Sequence, residues 1–393
     1  MPDIPLDFSR QEYAARLERT RTAMDAARVE TLVVSDPSNM AWLTGYDGWS
    51  FYVHQAVVVP LEGEPLWWGR AQDVAGALLT AYLAPDRIQG YPDHLVQSPD
   101  AHPMEHLAAL LAGAGLARAV GVEMDNYYFS AAAWETLRKN LPDARFVDAT
   151  GLINWQRAVK SPQELEYMRR AARIVEAIHR RIAEVVEPGV RKNEVVAEIN
   201  AVAARGADGH GGDYAAIVPL LPTGAEAAAP HLTWDDRPLE RGAGTFFEVA
   251  GCHRRYHAPL SRTIFLGEPP AEMLIAEKAV LAGLEAGIDV ARPGNTAGQV
   301  ADALGAELAR VGIERHGRCG YSIGMSYPPD WGERTISLRS SDSTVLEPGM
   351  TLHFMPGLWR ETWGLEITES ILIREAGPAE TLADYPRPML VKD

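Results

Sequence analysis

Two turn motifs occur twice in the second half of the chain, at nearly the same spacing. Glu187-Pro-Gly189 is matched by Arg292-Pro-Gly294 after 105 positions, and Leu239-Glu-Arg-Gly242 by Leu346-Glu-Pro-Gly349 after 107 positions. Unrelated motifs with almost equal offsets rarely arise by chance, and such self-similarity restricts the fold. Each Leu-Glu-x-Gly turn also leads into an apolar run that is typical of a buried strand. The sequence therefore predicts two copies of a helix, turn, helix, strand unit that face each other across a pseudo-two-fold axis.

One carboxylate interrupts the apolar run of the first copy. The run 245–249 contains Glu248, and Gly251 predicts a bend shortly after it. An uncompensated buried carboxylate costs several kcal/mol, so the residue indicates either a working site or a structural ion pair. The candidate ion-pair partners are Arg254, Arg255 and Arg262. On the 107 register Glu248 is equivalent to Met355, so a pocket between the copies would combine a carboxylate with a soft apolar group.

Composition limits the class of protein and its partners. A chain of 393 residues, 47% hydrophobic and 23% charged, is typical of a folded soluble protein with two domains. Its net charge of -16 argues against nucleic acid and anionic membrane as partners, whereas a small cationic or zwitterionic substrate would not be repelled. The sequence has no secretory signal pattern and no membrane-length apolar run, so we expect a cytoplasmic protein. Cys252 and Cys319 are too few for a disulfide framework, and we interpret Cys252 as a packed thiol.

The domain boundary is predicted within residues 153–160. Strand-like and helix-like runs alternate up to that point, which favours a sheet flanked by helices. Ser161-Pro-x-Glu164 then predicts a capping box at the start of a helix that continues to about Val186. We predict domains at 1–155 and 156–393. The aromatic segment 46–54 is predicted to be either local core or a lip over a pocket.

The residues above carry a resemblance to a known family. The two copies, the Lys160-Ser-Pro-x-Glu164 helix entry, the segment around His231 and the paired strands resemble the pita-bread fold of methionine aminopeptidases, Xaa-Pro peptidases and creatinase. The resemblance covers nearly the whole chain and implies an α+β protein. Its C-terminal part would be a pita-bread domain with an internal pseudo-two-fold repeat, and its N-terminal part the α/β domain that prolidases and creatinases add.

Peptidases of this fold bind metal through two Asp, one His and two Glu, and this chain departs from that set. The equivalent positions are Glu248, Pro259, Tyr321, Met355 and Thr368. Proline and methionine cannot hold a hard divalent ion, and a single carboxylate falls short of a dinuclear site. The resemblance therefore implies a metal-independent enzyme without a cofactor, as creatinase is.

Three segments resemble the ectoine hydrolases, a branch of this family. They are 327–334, 354–359 and 363–370. The resemblance implies opening of the cyclic amidine ring of ectoine, and it leaves hydroxyectoine and the isomer of the acetylated diaminobutyrate product undetermined. Glu248 would attack the carbon between the ring nitrogens, or activate a water to do so, with direct attack favoured. His231 would shuttle the proton, although a buried structural histidine is the alternative.

The remaining candidates would bind the substrate. Arg334 would bind its carboxylate, unless it is an ordinary surface arginine. Met355 would line the pocket, and Glu369 would bind a ring nitrogen or, as we favour, pair with an arginine. Aromatic faces suit an amidinium, and we expect about half of the candidates to contact substrate, since most tryptophans are core residues. The aromatic candidates are Tyr321, Trp331, Trp359, Trp363, Trp49 and Tyr52.

The resemblance to creatinase also implies a homodimer in which the N-terminal domain of one subunit covers the partner's site. Three other functions remain open. A metal-dependent Xaa-Pro dipeptidase would need the ligand set that is absent, and creatinase or another amidine or guanidine hydrolase would use the same two groups. A non-enzymatic binding protein on this fold would not need Glu248 and His231 together.

Overall fold

The computed structural model describes residues 4–393, which divide into two units at Gln156 and Arg157. The helices of the first unit are α1 (Arg10–Ala26), α2 (Pro37–Thr44), α3 (Val74–Thr80), α4 (Pro103–Gly113), α5 (Ala131–Asn140) and α6 (Leu152–Gln156). Its strands are β1 (Thr31–Val34), β2 (Ala56–Pro60), β3 (Leu66–Arg70), β4 (Ile88–Tyr91), β5 (Ala119–Val122) and β6 (Arg145–Asp148). They form one mixed sheet in the order β4-β3-β2-β1-β5-β6.

The first unit has the α/β architecture that the alternating pattern predicts. Its central strands are fully buried and rich in valine, as expected for strands covered on both faces. Leu107 of α4 and Leu137 of α5 pack with Val33, Val58 and Trp68 of the sheet. The sheet therefore supports its own hydrophobic core.

The second unit carries the predicted repeat. Its helices are α7 (Pro162–Val185), α8 (Lys192–Arg205), α9 (Ala271–Val290) and α10 (Ala297–Ala309). Its longer strands are β7 (Ala243–His253), β8 (Tyr256–Leu266), β9 (Gly320–Ile323), β10 (Gly332–Ser337), β11 (Thr351–Phe354) and β14 (Glu369–Leu372). The shorter ones are β12 (Leu358–Trp359), β13 (Gly364–Leu365), β15 (Glu380–Thr381) and β16 (Leu390–Lys392). The sheets have the orders β10-β9-β11-β14-β15, β16-β8-β7 and β12-β13.

The repeated turns have the same geometry in both copies. Gly189 donates to the carbonyl of Leu239 at 2.8 Å, and Gly294 donates to that of Leu346 at 3.0 Å. The two glycines have φ values of 92° and 87°, a left-handed conformation that glycine adopts without strain. The same helix-to-strand connection is thus built twice, with α7, α8, β7 and β8 in one copy and α9, α10, β11 and β14 in the other. This confirms the predicted pseudo-two-fold repeat.

Helix α7 begins as the sequence predicts. The Ser161 side chain accepts from the Glu164 backbone, and the Glu164 carboxylate accepts from the Ser161 backbone at 2.7 Å. This reciprocal capping satisfies backbone donors that the helix itself cannot pair. The buried face of α7 packs against β7 and β8. Among residues 4–393, no helix is both long enough and apolar enough to cross a membrane.

The bend predicted at Gly251 is wrong. Strand β7 continues through it to His253, and the chain turns at Arg254 and Arg255, whose φ values are 50° and 65°. A Cβ atom at Gly251 would lie only 2.0 Å from the carbonyl oxygen of Ala171 in α7. The glycine therefore allows close contact between helix and hairpin.

Candidate active site

Glu248 lies in the middle of β7 with its side chain buried. It is directly opposite Ser261 in the hairpin, and backbone hydrogen bonds of 3.0 and 3.1 Å join it to Leu220. Its side chain forms no salt bridge within residues 4–393, and Arg262 pairs with Glu369 at 2.8 Å instead. The structural ion pair considered for Glu248 is therefore wrong.

The environment of Glu248 brings the pKa of its carboxyl group close to neutral pH. Burial raises the pKa of its carboxyl group to about 7, and the charge of Asp330 adds to the increase. Burial also raises the pKa of Tyr321 well above its usual value, with a further contribution from Glu248. A carboxyl group whose pKa lies near neutral pH is populated in both its protonated and its ionised form. It can therefore act as an acid or as a base.

A second buried carboxyl group, Glu366, lies beside this hairpin. Its backbone N–H donates to the Thr263 hydroxyl at 3.0 Å, and that hydroxyl donates to its carbonyl oxygen at 3.0 Å. Two residues later, the Thr368 N–H donates to the Ser261 carbonyl at 3.1 Å. The segment 366–368 therefore follows β8 on the part of the hairpin that carries Glu248.

The Glu366 side chain has no partner among the described residues. It is fully buried, and neither carboxylate oxygen has a hydrogen bond. The hydroxyl oxygen of Ser261 is also buried without a partner. Burial and the charge of Glu248 raise the pKa of Glu366 well above its usual value, against an opposing effect of Arg315. Buried polar atoms normally have partners, so these atoms indicate a ligand site.

A hydrogen-bond network joins Tyr321 and Thr368 through His353. The ring of His353 lies between Tyr321 and Thr368, with its Nδ1 3.2 Å from the Tyr321 hydroxyl and its Nε2 2.8 Å from the Thr368 hydroxyl. The Tyr321 hydroxyl also accepts from the Trp331 indole at 2.8 Å, and the Thr368 hydroxyl accepts from the Ser261 N–H at 2.8 Å. Burial lowers the pKa of His353 to about 3, so its ring is neutral.

The aromatic candidates have different environments. Tyr321 and Trp331 belong to the buried network beside Glu248. Trp359 is half-buried, its indole N–H has no partner, and the Arg315 guanidinium lies 5.9 Å from its ring. Trp363 packs in the hydrophobic core of the second unit and donates its N–H to Glu272 at 2.6 Å. Core packing accounts for Trp363 without a ligand.

Met355 directly follows β11, and two arginines from the segment between α10 and β9 lie near this end of the strand. The half-buried Met355 has its carbonyl oxygen 3.3 Å from a donor of Arg315. The Arg318 guanidinium lies 4.5 Å from the ring centre of Tyr321. Cationic groups thus accompany the carboxyl groups of this region.

Four candidates are exposed in their own units. His231 lies in a loop after the short 3-10 helix Gly224–Ala228, with its side chain exposed, so the alternative of a buried structural histidine is wrong. Trp49 is 57% exposed and Tyr52 is 64% exposed, which excludes local core for these two side chains. Arg334 is exposed on β10 and adopts φ 57°.

Glu369 pairs with arginine, as favoured from the sequence. Its Oε1 accepts from Arg262 at 2.8 Å and from Arg387 at 2.9 Å. The side chains of Glu369 and Arg262 are almost fully buried. Glu369 is therefore held by two arginines in the second unit.

Sequence reasoning missed Asp330, His353 and Glu366. Asp330 and Glu366 lie within the segments 327–334 and 363–370, but nothing local distinguishes them from their neighbours, and His353 lies on β11, far from both in the chain. The repeat provided one usable signal: on the 107 register, Glu366 is equivalent to Pro259, where the related peptidases have an Asp.

Comparison with known proteins places this site in a family. Residues 166–375, more than half of the chain, match metallopeptidase family M24. The chain belongs to that family. Residues 16–159 match the Creatinase/Prolidase N-terminal domain. The M24 match spans the repeat and includes both buried carboxyl groups.

Full-length relatives agree with this assignment. The chain is 60% identical to ectoine hydrolase of Halomonas elongata, with 100% of each chain covered. It is 41% identical to an uncharacterised hydrolase/peptidase of Sinorhizobium fredii, with 99% of each covered. The crystal structure of dipeptidase PepE from Mycobacterium ulcerans matches 98% of this chain and 99% of its own, with a TM-score of 0.79 and 24% identity. The latter comparison establishes the fold.

The residues at the M24 metal-binding positions do not fit a dinuclear metal centre. Tyr321 and Thr368 use their hydroxyl groups in the network around His353. Pro259 and Met355 offer no hard oxygen ligand from their side chains. Across residues 4–393, no three His, Cys, Asp or Glu side chains are grouped so that they could hold a metal ion.

Proposed function

We propose that this chain is a hydrolase that opens the cyclic amidine ring of ectoine to N-acetyl-diaminobutyrate, the first step of ectoine catabolism, without a metal ion. The main support is the buried Glu248 at a former metal-ligand position, in a chain 60% identical to an ectoine hydrolase. Ectoine carries a positive amidinium and a carboxylate, so its substrate class is a small zwitterion.

The electrostatics of the site suit an amidinium. Glu248, Asp330 and Glu366 are acidic groups in one region, as their effects on one another's pKa values indicate. A divalent pair would repel the ring by roughly 4 kcal/mol per pair of unit charges at about 4 Å and an effective dielectric constant near 20. A carboxylate instead attracts the cation and can react with its central carbon.

The proposed reaction begins at the carbon between the two ring nitrogens. The Glu248 carboxylate attacks this carbon directly, or accepts a proton from a water that attacks it, and direct attack is favoured. His231, in its exposed loop, is assigned as the proton shuttle. Tyr321 and Trp331 contribute aromatic faces for the amidinium, and Met355 and Trp359 line the same region.

Binding of the substrate carboxylate is assigned to Arg334, with Trp49 and Tyr52 as aromatic contributions from a partner subunit. These assignments, a cytoplasmic location and a homodimer remain parts of the proposal. Sedimentation velocity combined with activity across a dilution series tests the dimer. An active monomer would remove that assignment.

The decisive experiment treats the purified protein with a chelator, incubates it with ectoine and follows the acyclic product by mass spectrometry. We expect full turnover after chelation, with either acetylated diaminobutyrate isomer as product. A parallel panel contains hydroxyectoine, creatine and an Xaa-Pro dipeptide. Preference for creatine would favour a guanidine hydrolase, and peptide cleavage restored by added metal would identify a dipeptidase.

A further inference from the structure

We infer that Glu366 is the acid that protonates the departing ring nitrogen when the amidine ring opens. This inference rests on the proposed function and adds a second catalytic carboxyl group to it. Glu366 is not equivalent to any of the five M24 metal ligands. Its position and its unpaired carboxylate oxygens in the structure indicate its function.

The first support is geometric. Glu366 is fully buried, and both of its carboxylate oxygens lack a hydrogen-bond partner among the described residues. Its backbone is fixed on both sides by the Thr263 hydroxyl, each contact being 3.0 Å. A buried carboxyl group that is held in place but left unpaired is costly unless a ligand completes its hydrogen bonds. Ring N–H groups of an amidine are suitable donors.

The second support comes from the repeat. The Ser370 hydroxyl donates to the Pro259 carbonyl at 2.7 Å, as the Thr263 hydroxyl donates to the Glu366 carbonyl at 3.0 Å. Both partners differ by 107 positions, so Glu366 and Pro259 are equivalent across the pseudo-two-fold axis. Pro259 is where the related peptidases have an Asp. A carboxyl group is therefore absent from this position in one copy and present in the other.

The third support is electrostatic. The charged groups that act on Glu366 are Glu248 from β7 and Arg315 from the segment after α10. Two buried carboxyl groups that interact cannot both ionise readily, so the pair retains a proton at neutral pH. Glu248 must be ionised to attack or to accept a proton from water. Glu366 is then the member that carries the proton.

The proton balance can be written for the water route. Glu248 takes a proton from water as the water oxygen bonds to the amidinium carbon, which leaves both ring nitrogens with lone pairs. The Glu366 hydroxyl protonates one nitrogen as its bond to carbon breaks. The new hydroxyl group then returns its proton to Glu366 as it becomes the amide carbonyl. The proton on Glu248 passes to the released amine, which leaves as ammonium.

For direct attack, the donor step is the same. Glu248 bonds to the carbon, Glu366 protonates the leaving nitrogen, and the C–N bond breaks to give a protonated O-acyl imidate on Glu248. Water then adds to the same carbon and displaces Glu248 as a carboxylate, which forms the amide. Of the two protons of that water, one returns to Glu366 and the other converts the released amine to ammonium. The inference therefore holds for either role of Glu248.

The test compares wild-type protein with Glu366→Gln, which keeps the shape and neutrality of the side chain but cannot donate an acidic proton. With ectoine as substrate, we expect kcat to fall about 100-fold or more and KM to change by less than about threefold. The wild-type rate should decline at alkaline pH as Glu366 loses its proton. That alkaline decline should be absent from the variant.

Two further variants separate catalysis from structure. Glu361→Gln, in the exposed turn between β12 and β13, should keep the wild-type rate and pH profile. Glu366→Asp retains an acid with a shorter reach, so it should show an intermediate rate with the alkaline decline preserved. If Glu366→Gln does not fold, the rate and pH profile of Glu366→Asp test the inference in its place.

A readout without substrate complements the kinetics. Infrared spectra near neutral pH should contain the C=O band of buried carboxylic acids, and Glu366→Gln should lower its intensity whereas Glu361→Gln leaves it unchanged. A variant with wild-type kcat and alkaline decline would overturn the inference, as would an unchanged infrared band. Wild-type protein that leaves ectoine intact would overturn the proposed function together with the donor step, and the infrared band would still locate the resting proton.

Discussion

The two copies of the repeat share a backbone frame but differ in their chemistry. In the first copy, β7 and β8 each contain 11 residues and form one continuous hairpin. In the second copy, β11 and β14 each contain 4 residues, and the chain between them forms the short β12–β13 hairpin. The shorter strands leave room for an irregular segment, 355–368, which brings Glu366 to the hairpin of the first copy.

The carboxyl groups follow the same asymmetry. Glu248 is equivalent to Met355, and Glu366 is equivalent to Pro259, so each copy supplies one buried acid from a different register position. The symmetry fixes where side chains from the two copies meet, and local differences decide which of them are acidic.

The largest effect is expected at the acid of the first copy. Glu248→Gln should reduce kcat/KM for ectoine by roughly 10⁴-fold or more, because the group that attacks carbon or water is lost. Glu240→Gln, in the exposed turn before β7, is the matched control. Steady-state kinetics with both variants checks this. Appreciable ring opening by the first variant would remove Glu248 from the reaction.

The next effect concerns an ion pair across the pseudo-two-fold axis. Arg262 and Glu369 are equivalent positions, and their side chains are buried and 2.8 Å apart. Glu369→Gln should lower the free energy of unfolding by about 3 to 5 kcal/mol, because a buried guanidinium loses its counter-charge. Urea unfolding measures this change.

The control for that measurement is an exposed pair. Glu380 pairs with Arg169 at 3.2 Å, and both side chains are substantially exposed. Glu380→Gln should change the free energy of unfolding by about 0 to 1 kcal/mol. Equal changes in the free energy of unfolding for the Glu369 and Glu380 variants would show that the buried pair of Arg262 and Glu369 contributes no more to stability than an exposed pair.

A smaller effect is expected for the contribution of Glu248 to the free energy of unfolding. Burial, followed by Asp330, raises its pKa from 4.5 to about 7 in the folded protein. Between these values the folded state binds more protons than the unfolded state, so this group reduces stability as pH rises. Glu248→Gln should therefore raise the free energy of unfolding by about 2 to 3 kcal/mol near pH 8.

At about pH 4, where both states are largely protonated, the same variant should show little change. Thermal and urea unfolding at the two pH values check the difference. Loss of stability near pH 8 would mean that the charged form of Glu248 is stabilised by its surroundings.

The smallest effects compare the duplicated turns. Gly189→Ala and Gly294→Ala should each cost about 1 to 2 kcal/mol, because both glycines have left-handed φ values and open space around them. Gly349→Ala should cost more than Gly242→Ala. A Cβ atom at Gly349 would lie 3.1 Å from Val159, whereas no atom lies within 4 Å at Gly242.

Urea titrations of the four variants measure these differences. Unequal costs at Gly189 and Gly294 would show that the two turns are less alike than their backbone angles indicate.

The parts of the fold that follow from local rules were predictable. The capping box of α7 and the duplicated Gly turns depend on residues close in the chain, so their patterns were visible in the sequence. Gly251 was misinterpreted because a glycine in a strand has several explanations. Only the position of Ala171 in α7 shows that close approach is the reason.

The site was less predictable because it is assembled from distant strands. Glu248 could be found as a carboxylate inside an apolar run. Glu366 lies only two residues from Thr368 in a short acidic segment, and neither its burial nor its lack of partners is visible in the sequence. Likewise, only the strand register brings His353 opposite Tyr321.

The hydroxyl groups of Thr263 and Ser370 contact main-chain carbonyls, not the side chains at Glu366 and Pro259. These two contacts therefore do not depend on which side chain is present at 366 or at 259. Evolution can therefore change the side chain at either position and keep the hydroxyl-to-carbonyl contacts that join the halves, although a proline at 366 would remove the N–H that donates to Thr263. This latitude offers a physical route by which one duplicated architecture gives rise to enzymes with unrelated reactions.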